Sequence, residues 1–256
     1  MTIAFLQAMR TLARLPDRLM AEPWEWAGHV GGPLQVRDAL YRALEAEYTA
    51  QARAPAPPTE TGRILGLAQQ AFGDLCGMLA GLTDDLLDVS PESDEWSLRE
   101  VLAHILLVER RYAAQVEYAA RRTDAEPVYR DLALNLSDTD RAGGVTAWIE
   151  RLAAARDESD RACDLPGTAL ERPTRWAGYE VDIRFRLHRF AAHLVEHTVQ
   201  CEKVLESVAP PSGEAGRIVR RLWVARSRHE RLSPREVLRA LDLSLAETAD
   251  ALVARA

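Results

Sequence analysis

The sequence is poor in cysteine, almost empty of lysine, and has no long apolar run. Its three cysteines, Cys76, Cys163 and Cys201, are widely spaced and form no C-x-x-C. That excludes a disulfide framework and fits a reducing, cytoplasmic setting. No apolar stretch approaches the ~20 residues that a membrane span needs. The stretch Ile3–Leu15 is apolar, but Arg10 and Arg14 break it and no small-residue cleavage site follows, so it does not read as a signal peptide. No membrane association is expected. Basic residues are not in surplus either: 39 acidic groups face 32 basic ones, for a net charge of -7. With no basic stripe, nucleic acid is not an expected partner. Lys203 is the single lysine, and the arginines are spread along the whole chain, which reads as coding bias rather than chemistry. No run of alternating β-branched residues suggests a sheet.

What is present is a chain of 256 residues, 47% hydrophobic and 28% charged. Such a length suits one large domain or two small ones. It can bury a core without metal or disulfide staples, so a metal site would point to function rather than to structure. The apolar spacing is helical almost throughout, and the fold class is all-α. Helices are expected over Ile3–Met20, Leu34–Gln51, Gly62–Leu87, Ser97–Arg122, Val145–Cys163, Val181–Val208 and Glu214–Arg228, with a last one starting at Ser233. Ser97 with Glu100, and Ser233 with Glu236, each have the spacing of a capping box. The intervening segments Trp24–Gly32, Ala52–Thr61 and Leu165–Tyr179 read as loops from their Gly and Pro content. Pro55, Pro57 and Pro58 mark the clearest boundary. The expected organisation is an N-terminal helical extension over 1–61, an antiparallel four-helix bundle over 62–208 and a C-terminal helical extension over 209–256. The long connection before the fourth bundle helix is placed to carry a crossover.

Three of the six histidines fall close together. At about 100° per residue, His193 and His197 lie roughly 40° apart on one helix face, while His188 lies about 140° from His193. An i, i+4 pair of imidazoles makes a two-toothed arm for a divalent metal. His104, on the apolar stripe of Val101, Leu102, Ile105 and Val108, is the candidate third ligand. Three protein ligands with an open position is how catalytic metal sites are built. The competing reading is a set of core histidines bonded to carbonyls, and the residues alone leave the two open.

Trp96-Ser97 followed by Glu100-Val-Leu-Ala-His104 resembles the start of the second helix in the DinB-like family. His193-Leu-Val-Glu-His197-Thr-Val-Gln200 resembles that family's H-x-x-x-H-x-x-Q signature in the fourth helix. The likeness covers about Gly62–Val208. Val199 stands where the family commonly has Gly. The resemblance implies a four-helix bundle with a crossover, holding one divalent metal through His104, His193 and His197. It also implies a dimer, and a chemistry of the kind family members perform. Those members include transferases for small thiols, an isomerase that uses a low-molecular-weight thiol, and domains of ergothioneine-forming enzymes.

The expected function is a metal-dependent enzyme acting on a small molecule, a thiol S-transferase or a hydrolase, with a low-molecular-weight thiol as co-substrate in the first case. Zinc is the first expectation for the metal, with nickel, manganese or iron as alternatives. Gln200 and Glu196 are candidate catalytic groups, with Glu109 as a further carboxylate near the ligands. Arg110, Arg111, Arg184, Arg186 and Arg189 flank the ligands in sequence, and none of them singles itself out for substrate. Cys201, four residues past His197, is the cysteine to check as a nucleophile, against the ordinary reading of a small buried hydrophobe. His29 and His229 have no ligand spacing, and Trp24 and Trp26 read as a lid over the bundle or as anchors for the N-terminal helices. The alternatives are a non-catalytic metal-binding or stress-related interaction protein, and a bundle with no metal.

Overall fold

A computed structural model describes residues 1–25 and 31–255 of the protein. Trp26 and His29 lie outside the described residues. In chain order the elements are α1 (Ile3–Ala13), α2 (Asp17–Met20), β1 (Pro23–Trp24), β2 (Leu34–Gln35), α3 (Val36–Arg53), α4 (Glu60–Leu79), α5 (Leu98–Arg121), α6 (Asp138–Arg141), α7 (Val145–Cys163), β3 (Pro173–Trp176), β4 (Tyr179–Asp182), α8 (Ile183–Val208), α9 (Glu214–His229) and α10 (Arg235–Val253). They fall into two units: Pro57–Phe72 with Asp84–Ala209, and Met1–Ala56 with Gly73–Thr83 and Pro210–Ala256. The fold is all-α apart from two short antiparallel ladders among the described residues.

The first unit is the four-helix bundle, built from the opening turns of α4 and from α5, α7 and α8. Its core is an apolar stripe from each helix, including Ile64, Leu65, Ala68 and Phe72 of α4 and Leu187, Phe190 and Leu194 of α8. Burial of each large side chain contributes about 1.5–3 kcal/mol. Side-chain contacts give the helix directions. Arg99, at the start of α5, donates to the carbonyls of Arg141 and Gly143 just before α7, at 2.8 and 2.9 Å, so α5 and α7 start at the same end. Glu60 and Arg184 join the starts of α4 and α8 at 2.7 Å. Across α5 and α8 the order is reversed: His104 meets His197, and Tyr112, two turns further on, meets Phe190. The crossover is therefore the connection between α5 and α7, which contains α6. The segment before α8, expected to be a loop with room for a crossover, instead holds the hairpin β3–β4. Its two-residue turn is Ala177-Gly178, with φ of 47° and 86°. Both values are positive, as the tight hairpin turn that matches strand twist requires.

Several expected helix ends move. Pro16 divides the first helix into α1 and α2, because its ring cannot continue a helical turn. The expected Gly62–Leu87 helix stops at Leu79, and Asp84–Asp88 forms a separate 3-10 turn. That break has a use. α7 starts at a glycine cap, Gly144, with no side chain to accept its amides, and Asp84 accepts from the Val145 amide at 2.8 Å. Ser97 and Glu100 form the expected capping box of α5. Ser233 and Glu236 do not: α10 is capped at Pro234 without a side-chain bond, and the Ser233 hydroxyl turns to His229.

The second unit joins the two segments that read as separate extensions. α1 packs on α9 and α10, and α3 packs on α9 and α10 as well. The last turns of α4 lie close to α9: a Cβ on Gly77 would fall 2.7 Å from the Arg220 Cα, so only glycine fits. Asp74 clamps the Arg220 guanidinium there through two bonds of 2.7 Å.

Candidate metal centre

The face of α8 that meets α5 carries Arg186, Phe190, His193 and His197, at the i, i+4, i+7, i+11 spacing of one helical stripe. His104 projects from α5 onto the same point. The ligand nitrogens of His104, His193 and His197 all lie within 4.8 Å of one another. His193 and His197 are buried and His104 is half-buried. His188, on the opposite side of α8, is exposed and takes no part.

The donor set fits a divalent metal. The Nε2 atoms of His193 and His104 face each other at 3.3 Å. Two imidazole nitrogens at about 2.0–2.1 Å from a tetrahedral zinc are separated by about 3.3 Å, the edge of that tetrahedron. His197 Nδ1 lies 2.7 Å from Gln200 Oε1. An amide oxygen only accepts, so Nδ1 carries the proton and Nε2 is left bare, the tautomer a ligand needs. Burial, together with the neighbouring His197, His104 and Arg189, pushes the His193 imidazole down to about 3. Burial, His197 and Arg111 also lower His104. Neutral imidazole is the ligating form.

Around the cluster stand aromatic rings and arginines. Trp96 is half-exposed, with its ring 5.3 Å from that of His104. Tyr112 packs edge-on against His193 and Phe190. The Arg186 guanidinium stacks on Tyr112 at 4.7 Å, is 4% exposed, and its Nε has no hydrogen-bond partner. Burial holds its pKa below the usual arginine value. Arg189 stacks on Trp176 and pairs with Glu196 at 3.5 Å.

Of the candidate catalytic groups, Gln200 lies against His197, and Glu196 sits exposed at the rim, where its charge offsets only part of the lowering of the His104 pKa. Glu109 is elsewhere: it is buried against Arg156 at 2.5 Å, and Arg156 also holds Asp160. Arg110 pairs with Asp140, and Arg184 with Glu60, Asp182 and Glu171. The Arg111 guanidinium reaches the Leu134 carbonyl at 3.5 Å. Cys201 is fully buried, and burial raises its thiol to about 12, so it packs as an apolar side chain and is not a nucleophile. Sequence reading missed Tyr112 and Trp176, and it gave Arg186 no role. The stripe spacing from Arg186 to His197 was the available signal.

A family description of the DinB superfamily matches residues 67–201. The chain belongs to the DinB superfamily. The match spans His104, His193, His197 and Gln200, and lies outside α1 to α3, α9 and α10. A solved structure, YfiT from Bacillus subtilis, is described as a probable metal-dependent hydrolase with an unusual four-helix bundle topology. It shares 12% sequence identity with this chain at a TM-score of 0.48, over 60% of this chain and 90% of that one. No curated protein matches the chain. No helix among the described residues is long and apolar enough to cross a membrane.

Proposed function

We propose that this DinB-superfamily protein is a metal-dependent enzyme, with a divalent transition metal held by His104, His193 and His197. Zinc is the first choice, since three neutral imidazoles with room for a fourth ligand suit it. The observation that carries the reading is the convergence of three ligand nitrogens within 4.8 Å at the buried α5–α8 contact. Bound there, the metal would lower the pKa of a water or thiol to near neutrality and supply a nucleophile.

The protein's own groups set what reaches that point. Gln200 fixes the His197 ring. Tyr112 and Phe190 close the inner side of the cluster to water. Trp96 and the Arg189–Glu196 pair form the rim. Arg186 is a buried cation with no carboxylate beside it among the described residues, a state that is costly unless an anion arrives. These features favour a small substrate bearing a carboxylate, which arginine recognises well. Transfer of a low-molecular-weight thiol is the first reaction to test, and hydrolysis the second. YfiT's description as a probable metal-dependent hydrolase keeps hydrolysis in the screen. A cytoplasmic homodimer is the proposed setting.

The test is a turnover screen with purified protein, offering small carboxylated thiols with an electrophilic acceptor, and small esters and amides. The reading expects turnover that chelation abolishes and that zinc, nickel, manganese or iron restores. Metal binding without turnover would favour the non-catalytic metal-binding alternative.

A further inference from the structure

The second unit contains a hydrogen-bonded serine, histidine and carboxylate that the metal centre does not use. Ser233 Oγ lies 2.8 Å from His229 Nδ1, and His229 Nε2 lies 2.8 Å from Glu47 Oε2. His229 is fully buried, and Glu47 is 3% exposed. The protonation pattern follows from the partners. A carboxylate only accepts, so Nε2 of the neutral ring carries the proton. Nδ1 is then bare and accepts from the Ser233 hydroxyl. That is the working tautomer of a nucleophile, base and orienting acid, with the two ring nitrogens exchanged relative to the usual order. The acid itself is held in place: Arg226 donates to Glu47 through Nε and Nη2 and to Asp242 through Nη1.

Ser233 is half-buried and lines a groove of about 640 Å³ between α3 and α10. The volume lies within the range of small-molecule sites. Its walls are mainly apolar, from Ala46, Ala50, Ala54, Val237, Ala240 and Leu241. α10 begins two residues after Ser233 with no side chain capping it; Val237 already donates to the Pro234 carbonyl at 3.1 Å, so of the first-turn amides those of Arg235 and Glu236 remain for an oxyanion.

We propose that Ser233, His229 and Glu47 form a second, metal-independent acyl-transfer site for short-chain carboxylic esters whose acyl chain lies in this groove. Ser233 Oγ attacks the ester carbonyl while its proton passes to His229 Nδ1, and Glu47 stabilises the resulting imidazolium. The C–O bond to the alcohol breaks, and His229 returns the proton to the leaving oxygen. Water then attacks the acyl-serine with His229 again taking a proton, releasing the acid and restoring Ser233.

The test uses the full-length protein in chelator, which silences metal chemistry. A fluorophosphonate is added, the adduct is located by peptide mass spectrometry, and p-nitrophenyl butyrate hydrolysis is followed in parallel. The expected results are an adduct on Ser233 and a fall of roughly a hundredfold or more in ester turnover in Ser233→Ala. Absence of a Ser233 adduct on the folded wild-type protein would overturn the proposal, and that readout needs no variant. Ester turnover unchanged in Ser233→Ala would overturn it equally.

Discussion

Arg186 in the bundle and Arg226 in the second unit are both buried guanidiniums stacked on a ring, Arg186 on Tyr112 and Arg226 on Phe5. Their surroundings differ. Arg226 has two carboxylates, Glu47 and Asp242, and Asp242 also accepts from the Thr2 hydroxyl at 2.7 Å. Among the described residues Arg186 pairs with no carboxylate, and its Nε has no partner. The histidines follow the same division. His229 is held between Glu47 and Ser233, whereas His104 and His193 face each other, and His197 has only an amide behind it. The buried charges of the second unit are compensated within the protein, whereas the bundle leaves a cation and three imidazole nitrogens facing inward, prepared for something from outside.

The largest expected effect separates the two arginines. Arg226→Met strands Glu47 and Asp242 and should cost about 3–5 kcal/mol in denaturant unfolding. Arg186→Met strands no carboxylate and should change stability by less than about 1 kcal/mol, or raise it, while weakening use of carboxylated substrates. Equal losses of stability would break the comparison. Next, Gln200→Ala should reduce metal affinity roughly 10–100-fold with the helix content of the protein unchanged, read by competition with a chromophoric chelator. His188→Ala should leave that affinity where it was.

A smaller effect concerns acid. Burial alone would raise the Glu47 carboxyl, but hydrogen bonds from His229 and Arg226 outweigh it and hold the pKa below its ordinary value of 4.5. Glu47 therefore binds a proton more readily in the unfolded chain. Its contribution to stability is full above pH 4.5 and is lost as pH falls through the lower folded value. Unfolding measured from pH 6 down to pH 3 should show that loss in the wild type and a flatter curve in Glu47→Gln, and parallel curves would contradict the assignment. The smallest effect is expected at the hairpin that places Trp176 under Arg189. Gly178 has a φ of 86°, and Gly178→Ala should cost about 1–2 kcal/mol in thermal unfolding.

Local signals were legible in the sequence where the local chain also decides the structure. Ser97 and Glu100 close their own capping box, and His193 and His197 share a face because helix geometry leaves no other choice. Ser233 has the same spacing to Glu236, yet its hydroxyl goes to a histidine four residues back, whose other nitrogen is fixed by Glu47 on a distant helix. That outcome depends on tertiary packing, which no window of sequence contains. The end of α4 was hidden for a similar reason, since Asp84 leaves the helical pattern to serve α7 across 61 residues. The β3–β4 hairpin was missed because Ala177 takes a left-handed turn position that Asn or Gly usually signals. Arg186 was one arginine among many until its burial and its missing partner were visible.

The measurement that tests the account most directly is the metal content of untagged protein by elemental mass spectrometry, for the wild type and for His193→Ala. The account predicts about one equivalent of one transition metal in the wild type, lost in the variant while the helical signal is retained. Protein that carries no metal and takes up none of zinc, nickel, manganese or iron would contradict it.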